Sequence, residues 1–350
     1  MLKILHAADL HLDTVFAALP PEQAAQRRRQ QRQLPRILVE MCVQRGCDLL
    51  LLAGDVFDGA RVCPETVEAL QAAFAGCPVP VCIAPGNHDP YTAASPWATA
   101  VWPDNVHIFT GGMASVSLPG LHCRVWGAAF QGTSAQELLQ PVPPSGDGWL
   151  EIGVFHGDPV YDSPYHPIPG GLLRNCGLDY LALGHIHKTC LPVQAGKTWY
   201  GWPGAAMGRG FDETGEKGVF CVELEQGSCR TEWIPLPLPR YEIRQTPTEQ
   251  ISLPPMPEQT ICRLVLTGES DPVDTEALHR QLADRFLALE IVDQTVPKRD
   301  LWAACGENTL RGLALQNLKA QYDAAGEADR QTAAMATRFV LAALEGRELP

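Results

Sequence analysis

Five short stretches of the chain gather side chains that can hold cations: Asp9-Leu10-His11, Gly54-Asp55-Val56-Phe57-Asp58, Gly86-Asn87-His88-Asp89, His156-Gly157-Asp158 and Gly184-His185-Ile186-His187. Imidazole nitrogens mixed with carboxylate and amide oxygens, and no thiolate, suit manganese, iron or zinc better than a structural tetrathiolate site. One carboxylate shared by two such ions bridges them at about 3.5 to 4 Å, a spacing that clamps the attacking and leaving oxygens of a phosphoryl centre. The residue types therefore point to phosphoester hydrolysis.

Taken alone, APGNHDP (residues 84–90) reads as a capped turn, because glycine, asparagine and aspartate are ordinary residues of chain reversal. What precedes each stretch changes that reading. Leu2 to Ala7, Asp48 to Ala53, Val79 to Ala84, Leu150 to Phe155 and Asp179 to Leu183 are apolar runs that read as buried strands, and each leads into one of the five stretches. In α/β sheets the functional crevice lies at the carboxyl ends of the strands, so the five loops are expected to converge. Five of the ten histidines fall in them; His107, His122, His166 and His279 read as structural. Gly54, Gly86 and Gly184 each precede a potential ligand and let the backbone turn sharply beside it.

From residue 2 to about 234 strands alternate with helical patterns, which predicts an α/β domain over 1–234. One helix is expected from Glu22 to Arg45, with Leu34, Ile37, Leu38 and Met41 as its buried stripe, and a second around Val67, Leu70 and Phe74. Ser115–Leu118 and His122–Trp126 flank a Pro119-Gly120 turn as a hairpin. Gly218 to Leu224 and Cys229 to Ile234 have no helix between them and are expected to build a second, more antiparallel sheet. The run Pro235-Leu236-Pro237-Leu238-Pro239 reads as a linker over 235–240, and 241–350 as a smaller α+β domain that closes with helices near Thr309–Ala324 and Glu327–Leu344.

The 350 residues carry a net charge of −13, which argues against gripping nucleic acid by electrostatics alone. The twelve cysteines are scattered without a C-x-x-C pair and read as reduced thiols. With no secretory pattern and no membrane-length apolar run, the expected location is the cytoplasm. Gly196-Lys197-Thr198 ends like a phosphate-binding loop but lacks the earlier glycine, so any ATP must come with another chain. Arg27, Arg28, Arg29 and Arg32 read as a solvated helix face, and Trp199, Tyr200 and Trp202 as core.

The ordered set D-x-H, G-D-x-x-D, G-N-H-D, H-G and G-H-x-H resembles the calcineurin-like metallophosphoesterase superfamily. Within it, HAADLHLD, GDVFDG and WYGWPG…FDETGEKG resemble the SbcD-type double-strand-break repair nucleases, with the YhaO-type exonuclease branch nearest; PKRDLW and GENTLRGL add weaker support. The resemblance implies an α/β/β/α sandwich of two packed sheets flanked by helices, with a smaller C-terminal α+β domain that caps DNA or docks a partner. It implies one ion on Asp9, His11, Asp55 and His187, and a second on Asp55, Asn87, His156 and His185, with Asp55 as the bridge and manganese as the preferred metal. His88 would face the scissile phosphate as the catalytic acid, with Asp58 orienting it. The implied activity is a 3′ to 5′ DNA exonuclease with some endonuclease action in repair or recombination. The implied partners are DNA, an SMC-like ATPase of the SbcC/YhaN type and a second copy of the chain. Protein phosphatases of the superfamily carry an arginine after G-D-x-x-D and a glutamate after G-N-H. Gly59-Ala60 and Asp89 stand there instead, which argues against a phosphoprotein substrate. Two alternatives stay open: a phosphodiesterase for cyclic nucleotides or dinucleotides, and a metal-binding scaffold for the ATPase.

Overall fold

The fold follows from a computed structural model that describes residues 1–350 except 18, 145, 161, 249–250, 252–259, 299 and 347–350. In chain order the elements are β1 (Leu2–Ala7), α1 (Pro21–Gln31), α2 (Leu34–Arg45), β2 (Leu49–Leu52), α3 (Pro64–Ala75), β3 (Val81–Ile83), α4 (Pro96–Thr99), β4 (Val106–Ile108), β5 (Ala114–Leu118), β6 (Cys123–Gly127), β7 (Leu150–His156), α5 (Gly170–Asn175), β8 (Tyr180–Gly184), β9 (Cys190–Ala195), β10 (Thr198–Trp202), β11 (Gly218–Glu225) and β12 (Ser228–Pro235). After these come β13 (Arg240–Pro247), β14 (Thr260–Thr267), β15 (Glu269–Ser270), α6 (Thr275–Leu282), β16 (Ala288–Asp293), β17 (Val296–Pro297), α7 (Leu310–Ala324) and α8 (Glu327–Leu344).

Two six-stranded sheets dominate, in the orders β12-β11-β1-β2-β3-β4 and β5-β6-β7-β8-β10-β9. Strand alternation explains why they stack. In β1 and β2, Leu5, Leu50 and Leu52 face one way, into a core shared with Leu38 of α2 and Leu70 and Phe74 of α3. Ile4, Leu49 and Leu51 face the other way, against Val125, Ile152, Val154 and Tyr180 of the second sheet. A third cluster joins the far side of the second sheet (Phe155, Leu181, Leu183) to Leu173 of α5. The layering is thus α/β/β/α. All four leucines of β2 are fully buried, and each is worth about 1.5 to 3 kcal/mol relative to an exposed side chain.

Two expectations are corrected. The single helix from Glu22 to Arg45 is two helices, α1 and α2, with the break just before Leu34. Pro35 lacks an N–H and its ring would clash with the carbonyl four residues earlier, so the chain starts afresh with the proline in the first turn. The strands from Gly218 and Cys229 do not start a second sheet. As β11 and β12 they extend the first one, with Leu2 opposite Leu224 and His6 opposite Phe220 in antiparallel register. Sequence neighbours are usual sheet neighbours, but the segment between β10 and β11 carries the chain back to the first sheet.

The chain divides into two compact units, Met1–Ile243 with Pro255–Arg263 and Leu282–Leu289, and Arg244–Pro254 with Leu264–Gln281 and Glu290–Pro350. Within the proline run Leu236 is buried and its N–H bonds to the carbonyl of Lys217 at 2.8 Å. β13, β14 and β16 pair in the order β13-β14-β16. In the second unit β15 pairs with β17, and α7 packs on α8 around Leu315 and Leu341, with the Thr309 hydroxyl capping α7 through the Gly312 N–H at 3.1 Å. No helix among the described residues is long and apolar enough to cross a membrane.

Candidate metal centre

β1, β2 and β3 run parallel, as do β7 and β8, so their carboxyl ends deliver all five stretches to one rim. The first two loops are bonded to each other: Asp9 N–H to Gly54 O at 3.1 Å, His11 N–H to Asp55 O at 2.9 Å, and Leu12 N–H to Val56 O at 2.8 Å. Asp9, His11, Asp55 and His185 all adopt positive φ (51°, 45°, 50° and 97°), a strained backbone for residues with a Cβ. Close approach also dictates glycine. A Cβ on Gly86 would stand 2.3 Å from Asp55 Oδ1, and one on Gly184 would stand 1.8 Å from the Ala53 carbonyl oxygen.

Five of the seven expected ligands converge as two overlapping groups, Asp9 with His11 and His187, and Asp9 with Asp55 and His156, the donor atoms of each lying within 4.8 Å of one another. Asp55 Oδ2 stands 3.3 Å from His156 Nε2 and 3.8 Å from His11 Nε2, between the two halves, as a bridging carboxylate must. Asn87 joins through its Oδ1, 2.9 Å from His156 Nε2. His185 borders the groups: its N–H bonds to the Asp9 carboxylate at 3.1 Å, its ring stacks edge-on to His156, and its Nε2 lies 3.6 Å from Asp158 Oδ2.

The electrostatics fit a pair of divalent cations. Asp9 and Asp55 are each 1% exposed, and their ion-pair partners among the described residues are histidines, so two buried carboxylates have no directly paired lysine or arginine among those residues. Burial alone would raise the Asp55 carboxyl, but His156, His11 and His88 hold it well below the usual carboxylate range. Burial would lower His156, yet Asp55 and Asp9 push it up to about 9. Divalent ions bound here would supply charge neutralisation and a water ionised near neutral pH. Thiolates take no part in these groups among the described residues.

His88 stands at the mouth, its side chain 43% exposed, with its ring 4.9 Å edge-on from that of His11. Its backbone N–H bonds to Asp55 Oδ1 at 2.9 Å. The expected support from Asp58 takes a different form. The Asp58 carboxylate bonds to His11 Nδ1 at 2.8 Å and to Arg209 at 3.0 Å, while His88 Nδ1 lies 3.3 Å from the Asp58 backbone carbonyl and 3.8 Å from its carboxylate. The buried imidazole N–H and the guanidinium take the charged oxygen; the exposed ring receives the main chain.

Several contributors lie outside the expected set of ligands and catalytic residues. Asp89 is buried and its carboxylate accepts four backbone N–H groups, from Gly86 at 2.7 Å, Val56 at 2.8 Å, Asp55 at 3.1 Å and Phe57 at 3.2 Å. Burial and the charge of Asp55 push its carboxyl up to about 8, whereas four donors and no acceptor favour the carboxylate form. His166 is structural, as expected, and its Nδ1–H holds the His156 carbonyl at 2.8 Å. Of the basic cluster, Arg27 is 2% exposed, donates to the Gly208 carbonyl and lies between the rings of Phe16 and Tyr241. Arg32 is tied to Asp13 and Thr66. Glu213 and Arg209, in the Gly-Arg-Gly-Phe-Asp-Glu segment, reach His187 and Asp58.

Comparison with known proteins gives the family. Residues 2–189 match the calcineurin-like phosphoesterase family. Over 246 residues the chain is 31% identical to the metallophosphoesterase YhaO of Bacillus subtilis, an alignment that covers 66% of this chain and 60% of that protein's length. Among solved structures, it is similar to a dimetal phosphatase from Danio rerio (11% identity, TM-score 0.45, 66% of this chain and 95% of that one). It is also similar to a protein from Thermus thermophilus (13% identity, TM-score 0.42, 66% and 98%). With strand-end ligands and family match in agreement over the same residues, the chain belongs to the calcineurin-like phosphoesterases.

Proposed function

We propose that the chain is a two-metal DNA nuclease that cuts phosphodiester bonds, working as a 3′ to 5′ exonuclease with some endonuclease action in DNA repair or recombination. The observation that carries this reading is the placing of His88, an exposed imidazole at the mouth of a buried acidic and imidazole cluster. There it can hand a proton to the departing sugar oxygen. Asp9, His11, Asp55 and His187 form one half of the ion site and Asp55, Asn87, His156 and His185 the other, with manganese the proposed metal. The phrasing HAADLHLD, GDVFDG and FDETGEKG supports DNA as substrate, through its likeness to the SbcD-type nucleases. The same likeness supports an SMC-like ATPase and a second copy of the chain as partners; sedimentation at micromolar concentration tests the dimer.

A second reading, a small phosphodiester such as a dinucleotide, is favoured by the net charge of −13, which repels a long polyanion more than a short one. End-labelled linear duplex DNA, incubated with manganese, magnesium or chelator, separates the two. Manganese-dependent shortening that Asp55→Asn abolishes supports the nuclease; intact DNA beside a hydrolysed dinucleotide transfers the proposal to the small substrate.

A further inference from the structure

The two halves of the centre are built differently behind their imidazoles. On one half both rings turn Nε2 inward, 3.1 Å apart, and rest Nδ1 on a carboxylate: His11 on Asp58 at 2.8 Å, His187 on Glu213 at 2.7 Å. On the other, His156 rests Nδ1 on a neutral carbonyl, that of Ala53, at 2.9 Å. A single guanidinium spans the two carboxylates of the first half. Arg209 Nη1 lies 3.0 Å from Asp58 Oδ1 and its Nη2 2.9 Å from Glu213 Oε1.

This arrangement is anchored from its own loop. The Arg209 N–H bonds to Glu213 Oε2 at 2.9 Å and the Glu213 N–H to the Gly210 carbonyl at 3.1 Å, so Gly208–Glu213 is folded upon its own charged pair. Buried Arg27 holds the Gly208 carbonyl at 2.8 Å, and a Cβ on Gly208 would stand 2.7 Å from the Glu213 carbonyl oxygen. Arg209 is 22% exposed, with its guanidinium bonded to Asp58 and Glu213 and its Nη2 3.1 Å from His187 Nδ1, which makes it a poor candidate for a phosphate contact.

We propose that Arg209 and Glu213 are positioning residues that fix the rotation and tautomer of His11 and His187, and so set the metal affinity of that half of the centre alone. A carboxylate on Nδ1–H holds the proton there, leaves the Nε2 lone pair free and makes it more basic. A guanidinium fits two carboxylates in fixed geometry; an ammonium, being a point charge, does not. The proposal rests on the two-ion reading of the site.

The first arm of the test uses the metal-free full-length chain and nitrogen-15 imidazole spectra. His11 and His187 are expected as Nδ1–H tautomers in the wild type. In Glu213→Gln, which keeps the shape of the side chain, and in Arg209→Met, the His187 signals move towards tautomer exchange while those of His156 stay put. Unchanged His187 signals in both variants would overturn the clamp. The second arm is a calorimetric titration with manganese: Arg209→Met should weaken one of two ions roughly 10- to 100-fold and spare the other, with Arg209→Lys no better. Equal weakening of both ions, or of neither, would also overturn it. A wild type that binds no manganese would sink the two-ion reading, and the spectra would still decide the clamp.

Discussion

A proton donor matters most when the leaving group is a poor one, and this separates two roles for His88. Should the imidazole protonate the departing sugar oxygen, His88→Gln will slow DNA cleavage by about 10² to 10⁴. The same variant will barely slow hydrolysis of bis(p-nitrophenyl) phosphate, whose nitrophenolate leaves without a proton. Equal losses on both substrates would mean that His88 only binds phosphate. The Asp55–His156 pair gives a pH dependence. Burial opposes the charge on His156, but Asp55 and Asp9 raise it from 6.5 to about 9, so in the metal-free chain the pair stabilises fully below about pH 6.5 and fades as pH rises to 9. Metal requires the neutral ring, so loading strengthens over the same interval and releases a proton. Melting curves should therefore show the metal-free protein losing stability from pH 6.5 to 9 while the gain on adding manganese widens. Asp89 accepts four N–H groups from two of the ligand loops. Asp89→Asn turns an NH₂ towards those donors and should cost on the order of 3 kcal/mol in urea unfolding.

At the level of elements, the strand ends leave no room for side chains on particular glycines. Gly184→Ala would press a methyl against the Ala53 carbonyl at 1.8 Å and should destabilise by about 3 kcal/mol, whereas Gly59→Ala, with nothing within 4 Å, should leave the melting temperature unchanged. The strands and their loops were legible because each ligand stretch follows an unbroken apolar run such as Leu49–Leu52, a pattern read locally. The break between α1 and α2 has its signal in Pro35, but the apolar stripe of Leu34, Ile37, Leu38 and Met41 masked it. The place of β11 and β12 was not, because sheet order after β10 depends on where a long connection lands. Asp58 lies on His11 because Arg209, far along the chain, shares its carboxylate, and no local spacing encodes contacts among residues 58, 187, 209 and 213.

For the whole molecule, charge sets the encounter with substrate. The net charge is −13, and of the densest basic cluster Arg27 is buried and Arg32 engaged, which leaves little of it to meet a polyanion. With a Debye length of about 10 Å at 0.1 M salt, screening should relieve the repulsion of DNA. The kcat/KM for DNA by the isolated chain should hold or rise between about 20 and about 150 mM salt, where a protein with a basic groove loses affinity steeply. A steep fall would locate a basic surface elsewhere in the chain. Hydrolysis of bis(p-nitrophenyl) phosphate tests most directly, and without assuming DNA, whether the chemistry of the crevice needs cations. The wild type should turn over with manganese, stop with chelator, recover on adding manganese back, and fail in Asp55→Asn. Turnover that survives the chelator, or that survives Asp55→Asn, would contradict it.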